Sequence, residues 1–443
     1  MARSIVFSLS KSSRLIGFWS SKNSSFGFCS SSCSVPSPTP SREKRAVLPW
    51  LMLAPETNGY KFYRLSEKDV KKVVVESDPP PDADSHCLQQ SYQGWISYIR
   101  RKDCQVFLFN PLSGKKIILP SVETLPSIKG VIRNSQTGLV ESFISEFSPE
   151  PHPPESCSYG GIISDVVLSS SPMDDDCIAV VSYGVRGKLA FCRIRHDEEE
   201  DPNYRWIPLD SPFTDCRQII YHSGKKLFYT LSDFKNEFEP SDFKNEFEAW
   251  DLHSDPMNRF HVEDQTPKGI YDWAPILEDK DLFDNYDETN WYKLHYLLYD
   301  HQSQELFLVI RHVLNNANVE YHHRVPHIID PDLITHKTVT FDVYKVDFIK
   351  DDLIKVQYLE DSIGNRAFFL GKKRGFVLST IEFPELRPGS IYFADNKYQW
   401  QYNFAGHDMG IYDYEENSII GKLESISPAS SWFIPDGGAD ADV

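Results

Sequence analysis

Short apolar runs recur along most of the chain, and each is bounded by a cluster of Pro, Asp, Ser or Gly. The runs are four to eight residues long and rich in Val, Ile, Phe and Tyr, as β-strands are. The clearest runs lie at 179–183, 188–194, 218–221, 226–231, 306–310, 338–344 and 376–380. The stretch 67–76 fits either a charged strand or a short helix. Because no long segment has helical periodicity, the pattern predicts an all-β protein.

One type of turn recurs before the apolar runs. A glycine followed by a lysine precedes four of them, at Gly114, Gly187, Gly224 and Gly371, and Ser303-Gln304-Glu305 resembles a glycine-free version. Glycine supplies the positive φ angle that a tight hairpin requires. The four glycines are spaced at multiples of about 37 residues, which indicates a repeated β unit. Radial repetition protects sheet edges, so we expect a β-propeller of short antiparallel strands with roughly six to eight blades.

Polar inserts separate the predicted strands. Acidic or proline-rich segments lie at 76–84, 148–155, 174–176, 197–201 and 278–288, and we interpret them as solvated loops. One sequence of eight residues, Ser-Asp-Phe-Lys-Asn-Glu-Phe-Glu, occurs at 232–239 and again at 241–248. An exact tandem duplication is tolerated where extra length does no harm, so we expect a surface loop there.

The N-terminal segment 1–42 has a composition of its own. It contains no Asp or Glu and fifteen serines. Wound as a helix, it places Ile5, Leu9, Ile16 and Trp19 on one side, with basic residues opposite at Arg3, Lys11, Arg14 and Lys22. This composition is typical of an organelle transit peptide, and the amphipathic pattern favours mitochondrial import, with chloroplast or dual targeting as the alternative. We therefore expect import machinery to bind residues 1–42, a propeller domain at 43–435, and a disordered acidic tail at 436–443.

Charge and cysteine usage narrow the class of partner. The net charge is −18, and removal of the five basic residues of the presequence makes it about −23. Such a chain repels phosphate backbones, so we expect no nucleic acid as a partner. No apolar stretch is long enough for a membrane helix, so we expect no membrane insertion. The six cysteines after residue 42 are scattered, which predicts free packed thiols rather than disulfides or a zinc site.

Several motifs occur in order along the chain and together resemble a known family. They are 48–53 (LPWLML), 107–114 (FLFNPLSG), 189–191 (LAF), 247–252 (FEAWDL), 306–309 (LFLV), 341–344 (FDVY), 382–386 (EFPEL), 390–393 (SIYF) and 406–413 (GHDMGIYD). They are similar to plant proteins of the DUF 295 family, also called KIB-type β-propellers. Many members carry an F-box before the propeller and select substrates for ubiquitin ligases. Here only residues 42–47 separate the presequence from the first motif, and this segment is too short for the helices of an F-box. The chain therefore resembles an organellar branch that lacks the F-box.

Few residues suggest chemistry. The family resemblance implies no catalytic residues, and the sequence has no nucleophile, zinc-protease or dinucleotide motif, so we expect no catalytic residue and no cofactor. Seven histidines lie between His295 and His336, and the group His322, His323 and His327 is a weak candidate for a metal site. Asp251 and Asp413 could face a channel, but we interpret them as caps of strand-end turns.

Four tryptophans fit the core of the predicted propeller. We expect Trp95, Trp250, Trp400 and Trp432 in the propeller core. The sequence therefore predicts a non-enzymatic propeller that binds another protein inside the mitochondrion. The alternatives are a propeller enzyme with two converging carboxylates in its channel, or an F-box-type subunit of a ubiquitin ligase.

Overall fold

A computed structural model provides the three-dimensional structure. It describes residues 47–435 with the exception of 54–59, 66–68, 74–84, 91–93, 101–103, 147, 154–161, 185, 197–202, 214, 236–242, 265–290, 316–335, 351, 372–373, 396–407 and 423–428. The presequence 1–42 and the acidic tail 436–443 lie outside these residues, so both remain predictions. The described residues form 28 strands and one short 3-10 turn, Val122–Thr124.

The first three blades are four-stranded antiparallel sheets. From the channel outward, blade 1 contains β28 (Ala429–Phe433), β1 (Trp50–Leu53), β2 (Tyr60–Arg64) and β3 (Asp69–Val73). Blade 2 contains β4 (Ser85–Gln90), β5 (Ile96–Arg100), β6 (Gln105–Phe109) and β7 (Lys116–Ile118). Blade 3 contains β11 (Ile163–Leu168), β12 (Ile178–Tyr183), β13 (Lys188–Arg193) and β14 (Ile207–Leu209).

Blades 4 and 5 have longer strands, and blade 6 has five strands instead of four. Blade 4 contains β15 (Cys216–His222), β16 (Leu227–Lys235), β17 (Phe243–Asp251) and β18 (Asn258–Asp264). Blade 5 contains β19 (Trp291–Asp300), β20 (Glu305–Asn315), β21 (His336–Lys350) and β22 (Leu353–Tyr358). Blade 6 has the order β24 (Gly375–Ser379), β23 (Arg366–Leu370), β25 (Ser390–Phe393), β26 (Gly410–Asp413) and β27 (Ser418–Lys422). A short parallel pairing of β18 with β22 joins blades 4 and 5 at their outer edges.

The inner strands show that the blades form a ring. Along the channel, β28 neighbours β4, β4 neighbours β11, β11 neighbours β15, β15 neighbours β19, and β19 neighbours β24. Blade 6 returns to blade 1 through the contact of β23 with β28. The C-terminal strand β28 pairs with the N-terminal strand β1, with Trp50 opposite Phe433, so main-chain hydrogen bonds close the ring. Blades 3 and 6 therefore lie on opposite sides of the channel.

Among the described residues, the hydrophobic core consists of six buried clusters, one for each interface between neighbouring blades. Alternate side chains of a strand point to opposite faces of its sheet, so one strand contributes to two interfaces. In β19, for example, Leu297 packs against blade 4 and Leu298 packs against blade 6. The uninterrupted apolar runs in the sequence thus come from sheets that are buried on both faces.

A small sheet is inserted between blades 2 and 3. It contains β8 (Ile128–Arg133), β9 (Val140–Ser145) and β10 (Ser148–His152). Val140 and Phe143 pack on the core between these blades, while most of β8 is at least partly exposed. The segment 148–155 was expected to be a loop, and that expectation was wrong because 148–152 form the edge strand β10. Edge strands tolerate the prolines that this segment contains.

All seven of the clearest predicted strands are confirmed, as β12, β13, β15, β16, β20, β21 and β24. Residues 69–73 of the ambiguous charged stretch form a strand, β3. Trp95, Trp250 and Trp432 are buried in the core as predicted, whereas Trp400 lies outside the described residues. Among the described cysteines, Cys104, Cys177, Cys192 and Cys216 are free thiols, as expected.

Two sequence-based expectations about repeats are wrong. The period of about 37 residues is not the blade repeat, because the glycine turns take different places within their blades. Gly114 follows the third strand of its blade, whereas Gly224 follows the first. The duplicated segment is not a loop alone either, since its two copies extend into both arms of the β16–β17 hairpin. The second copy contributes Phe247 and Glu248, which are 1% exposed, so part of the repeat has become core.

Candidate functional site

The two ends of the channel carry different structures. The strands β11, β15 and β19 begin at the same end, which we call the mouth end. The other face carries the turns that follow β15 and β19, and we call it the turn face. Antiparallel strands alternate in direction, so the turns after β6 and β17 belong to the turn face as well. In blade 6 β23 runs parallel to β25, and this places the turn after β26 on the turn face too.

A cavity of about 250 Å³ opens at the mouth end between the first residues of β11, β15 and β19. It is lined by Ser164, Asp165, Ser182, Cys216, Arg217, Gln218, Ile219, Lys293, Leu294, His295 and Tyr296. These residues come from three neighbouring blades, and most of them are polar. Strand β15 is irregular between Cys216 and Gln218, where its register to β16 shifts. Such an irregularity commonly redirects side chains next to a binding site.

Asp165 is the one carboxylate among the described residues that line the cavity. It forms an ion pair with Arg374, with 2.6 Å between Nη2 and Oδ1. The same guanidinium group donates a hydrogen bond to the carbonyl oxygen of Val166. Arg374 directly precedes the inner strand of blade 6, and Asp165 belongs to blade 3, so this ion pair crosses the channel. The negative charge of Asp165 is therefore balanced within the protein.

His295 lies at the centre of the cationic part of the cavity. Its Nδ1 atom is buried and has no hydrogen-bond partner among the described residues. Burial lowers the pKa of His295 to about 4, and the positive charges of Arg217 and Lys293 act in the same direction. The neighbouring His312 is bound to Asp342, with 2.6 Å between Nε2 and Oδ2. At neutral pH the cavity thus presents a neutral imidazole beside two cations.

Cys216 is the only thiol among the described lining residues. Burial raises the pKa of Cys216, and the negative charges of Asp165 and Glu248 raise it further. Since the thiolate is the reactive form of cysteine, this thiol is a poor nucleophile at neutral pH. The cavity therefore does not combine an activated nucleophile with a basic histidine.

The turn face uses its carboxylates in another way. The Oδ1 atom of Asp251 accepts hydrogen bonds from the backbone N–H groups of His253 and Ser254, both at 3.1 Å. The Oδ1 atom of Asp413 accepts from Glu415 and Glu416 at 3.1 and 3.0 Å. Both residues therefore cap turns, as the sequence predicted.

The same turn is built repeatedly around the ring. The side chain of Asp300 accepts from the backbone of Gln302 at 3.0 Å, and that of Asn110 accepts from Leu112 at 3.0 Å. In this turn the fourth residue after the cap has a positive φ. The positions are Gly114 (68°), Gly138 (71°), Gln304 (59°) and Asn417 (50°). Gln304 therefore takes the place of glycine, as the comparison of Ser303-Gln304-Glu305 with the glycine turns predicted.

Other candidates from the sequence are not placed by the structure. His322, His323 and His327, and the basic residues Arg3, Lys11, Arg14 and Lys22, lie outside the described residues. Within the described part of the chain, no three His, Cys, Asp or Glu side chains come together as metal ligands. The same part contains no helix long and apolar enough to cross a membrane.

Sequence reasoning missed most of the mouth-end cavity. Arg217, Lys293 and Arg374 belong to no motif, and three different blades bring them together. His295 was noted only as part of a histidine-rich stretch that suggested metal binding. The one signal in the sequence was the presence of cations at the starts of inner strands in an otherwise acidic chain.

The closed ring of six blades around a channel defines a six-bladed β-propeller, within the predicted range of blade numbers. The family follows from the sequence: the profile of the KIB1-4 beta-propeller family matches residues 62–413, and the chain belongs to this family. The resemblance seen in the motifs is thereby confirmed. No curated protein matches the chain in sequence.

Solved structures show more distant likenesses. The tricorn protease is 10% identical, with a TM-score of 0.25, over 65% of this chain, which spans 25% of that protein. Hydrazine synthase from Kuenenia stuttgartiensis is 10% identical, with a TM-score of 0.25, over 68% of this chain and 90% of its own. The PQQ-bound aldose sugar dehydrogenase from Streptomyces coelicolor is 9% identical, with a TM-score of 0.26, over 80% of this chain and 99% of its own. Likenesses at this level carry no information about activity or ligand.

Proposed function

We propose that the mature chain is a non-enzymatic propeller that binds another protein inside the mitochondrion. The observation that carries this proposal is the rigid ring, closed by main-chain pairing and covered on one face by capped turns. Rigid scaffolds of this kind hold surface residues in fixed positions, as recognition of a protein partner requires. The acidic charge of the chain favours a partner with a basic surface.

The chemistry of the described mouth-end cavity supports binding rather than catalysis. Acid–base catalysis by carboxylates needs two of them with different pKa values close to one reacting group. The described lining residues supply one, Asp165, and Arg374 holds it in an ion pair. An imidazole with a pKa of about 4 is a weak base at neutral pH, so His295 does not replace the missing group.

The compartment can be tested by import. The full chain with a C-terminal tag is expected in the mitochondrial matrix, in a shortened form. Deletion of residues 1–42 should leave the protein in the cytosol. Replacement of Arg3, Lys11, Arg14 and Lys22 by Gln should have the same effect, because import depends on positive charge. An unchanged location after the deletion would contradict mitochondrial import, and recovery in chloroplasts would assign the alternative compartment.

Partner binding can be tested with a residue that has no role in packing. Ile381 follows β24 on the turn face and is 75% exposed, so Ile381→Glu is expected to leave the fold intact. We expect the tagged protein to co-purify with one partner in near-equal amount, and Ile381→Glu to reduce the recovery of that partner. The control is Ile420→Glu, the same substitution at a 39% exposed position on the outer strand of the same blade.

Two outcomes would count against the proposal. Recovery of the tagged protein as a bare monomer under gentle conditions would contradict partner binding itself. Equal loss of the partner in both variants would mean that the turn face is not the specific contact surface.

A further inference from the structure

We propose that the two loops after β11 and β24 dock one basic, partly apolar segment of the protein partner, which crosses the channel opening on the turn face. The inference rests on the proposed function and adds where the partner binds and which chemistry it presents. Two exposed apolar side chains define the docking surface, and the charges beside them select the occupant.

The two loops lie on opposite sides of the channel opening. Loop 169–177 follows the inner strand of blade 3, and loop 380–386 follows the inner strand of blade 6. At the other end of the same two strands, the ion pair of Arg374 with Asp165 crosses the channel. Because one arginine side chain spans most of that gap, an extended segment of roughly five residues is long enough to reach from one loop to the other.

Each loop holds one large apolar side chain in solvent. Met173 is 45% exposed in the first loop, and Ile381, at 75%, is the most exposed large apolar residue of the described chain. The loops themselves are fixed: Asp174 donates its backbone N–H to the carbonyl oxygen of Ser171 at 2.9 Å, and the buried Phe383 donates to that of Ser379 at 3.0 Å. Met173 and Ile381 are therefore presented to a partner from ordered positions.

The charges beside these two residues are negative. Five exposed acidic residues follow them and form no ion pair within the described part of the chain: Asp174, Asp175, Asp176, Glu382 and Glu385. In the described turns of the inner strands, lysines occur in blade 4 alone, at Lys225 and Lys226, and the nearby Arg387 is bound to Asp413. Blades 3 and 6 thus keep a negative surface, which complements lysine and arginine side chains of a partner.

The test compares opposite charges at the same position in the full chain with a C-terminal tag. Ile381→Lys and Ile381→Glu remove the same apolar contact but change the local charge in opposite directions. Both should reduce recovery of the partner, and Ile381→Lys should reduce it about fivefold more, the size expected for one exposed charge pair. Met173→Lys and Met173→Glu should differ in the same direction, and the differences should vanish at high salt.

The matched control is the pair Ile420→Lys and Ile420→Glu, at a 39% exposed position on the outer strand β27. These two variants should recover equal amounts of the partner. Near-UV circular dichroism of each variant should match that of the parent protein, which confirms that the fold is retained.

Cross-linking locates the bound segment. Benzoylphenylalanine in place of Met173, or in place of Ile381, should cross-link to the same stretch of the partner, within about ten residues of extended chain. Mass spectrometry should show that this stretch is rich in lysine and arginine. The same group in place of Ile420 should give no cross-link to it.

The proposal would be overturned by equal recovery from the Lys and Glu variants at either loop, by a greater loss with Glu, or by cross-links to two separate or acidic stretches. In each of these cases the partner is still recovered, so the proposed function stands. Recovery of no partner by the parent protein would instead contradict the proposed function, and this docking surface with it.

Discussion

The turn face and the mouth end of the channel differ in what their polar groups bind. On the turn face, Asp251, Asp300 and Asp413 bind the backbone of their own turns. At the mouth end, Arg217 of β15 meets Lys293 and His295 of β19 around a cavity. The carboxylates of the turn face therefore stabilise their own hairpins, while Arg217, Lys293 and His295 line a cavity.

The difference extends to the pKa values of the ionisable groups. Burial alone would raise the pKa of Asp300, but hydrogen bonds from Ser303 and Arg366 outweigh burial and lower it. For Asp251, too, burial is opposed and outweighed by hydrogen bonds, here from Ser254 and His253. At the mouth end, by contrast, burial lowers the pKa of His295, and the positive charges of Arg217 and Lys293 lower it further. The carboxylates of the turn face are thus stabilised by their own turns, whereas burial holds His295 neutral.

The largest predicted effect concerns the buried arginine at the mouth end. Arg311 is fully buried, binds Asp408 at 2.8 Å and donates to the carbonyl oxygen of Ala394 at 2.8 Å. Arg311→Met leaves the carboxylate buried without its partner, so we expect a loss of about 3–5 kcal/mol in the free energy of unfolding. Urea unfolding monitored by tryptophan fluorescence measures this loss.

The control for that prediction lies on the turn face. Arg366 is 24% exposed and pairs with Asp300 at 3.0 Å. Arg366→Met should cost about 1 kcal/mol or less, because water screens a pair of this kind. Equal costs for the two variants would contradict the distinction between the two ends.

A second prediction concerns the capped turns. Asp300→Ala removes the acceptor for the backbone of Gln302 and the partner of Arg366, so we expect a loss of about 2 kcal/mol at pH 7. Asp300→Asn should cost less because its amide oxygen still accepts the turn hydrogen bonds. The lowered pKa makes a stabilising contribution that is present above the usual carboxyl pKa and lost as pH falls below it. Unfolding curves between pH 6 and 3 should show a weaker acid dependence in Asp300→Asn, and an unchanged slope would contradict this assignment.

A third, smaller effect is expected from His295. With a lowered pKa, it stays neutral in the folded chain while the unfolded chain takes up a proton below about pH 6.5. Stability is therefore lost as pH falls from about 6.5 towards 4, and His295→Gln should remove about 1 kcal/mol of that loss after allowance for solvent screening. Thermal unfolding of both proteins at pH 7 and pH 5 measures the difference. A variant with the same pH dependence as the parent would show that His295 is not held neutral.

The smallest effects concern the positive φ positions of the capped turns. A Cβ atom at Gly138 would meet no atom within 4 Å, so Gly138→Ala tests backbone strain alone. We expect a cost of about 1 kcal/mol. Gln304→Gly relieves the same strain but loses the hydrogen bond from Nε2 to the carbonyl oxygen of His301, so a gain of less than about 1 kcal/mol is expected. Chemical unfolding measures both, and a stabilising Gly138→Ala would contradict the role of the left-handed residue.

Much of the fold could be predicted from local sequence because the deciding interactions are local. Short apolar runs bounded by turn residues identified the strands, and the turn at Gln304 could be predicted because residues 300–304 contain its cap and its left-handed position. The same locality explains the interpretation of Asp251 and Asp413. Only neighbouring residues decide whether a carboxylate caps a turn.

The blade register and the cavity could not be predicted in this way. The Gly-Lys turns look equivalent in sequence, yet Gly187 and Gly224 occupy different hairpins of their blades. The pairing of Asp165 with Arg374 joins residues 209 positions apart, and only ring closure brings them together. A single sequence gives no signal for a contact of that kind.

The most direct test of how burial acts at the two ends is a pH titration of the histidines by NMR, with the resonances of His295 and His222 assigned through Gln variants. His222, on the turn face, also has a pKa of about 4, and its Nδ1 accepts the backbone N–H of Lys225 at 3.2 Å. We predict that both histidines titrate near pH 4, because burial holds each ring neutral. A pKa near 6.5 for His295 would contradict the account.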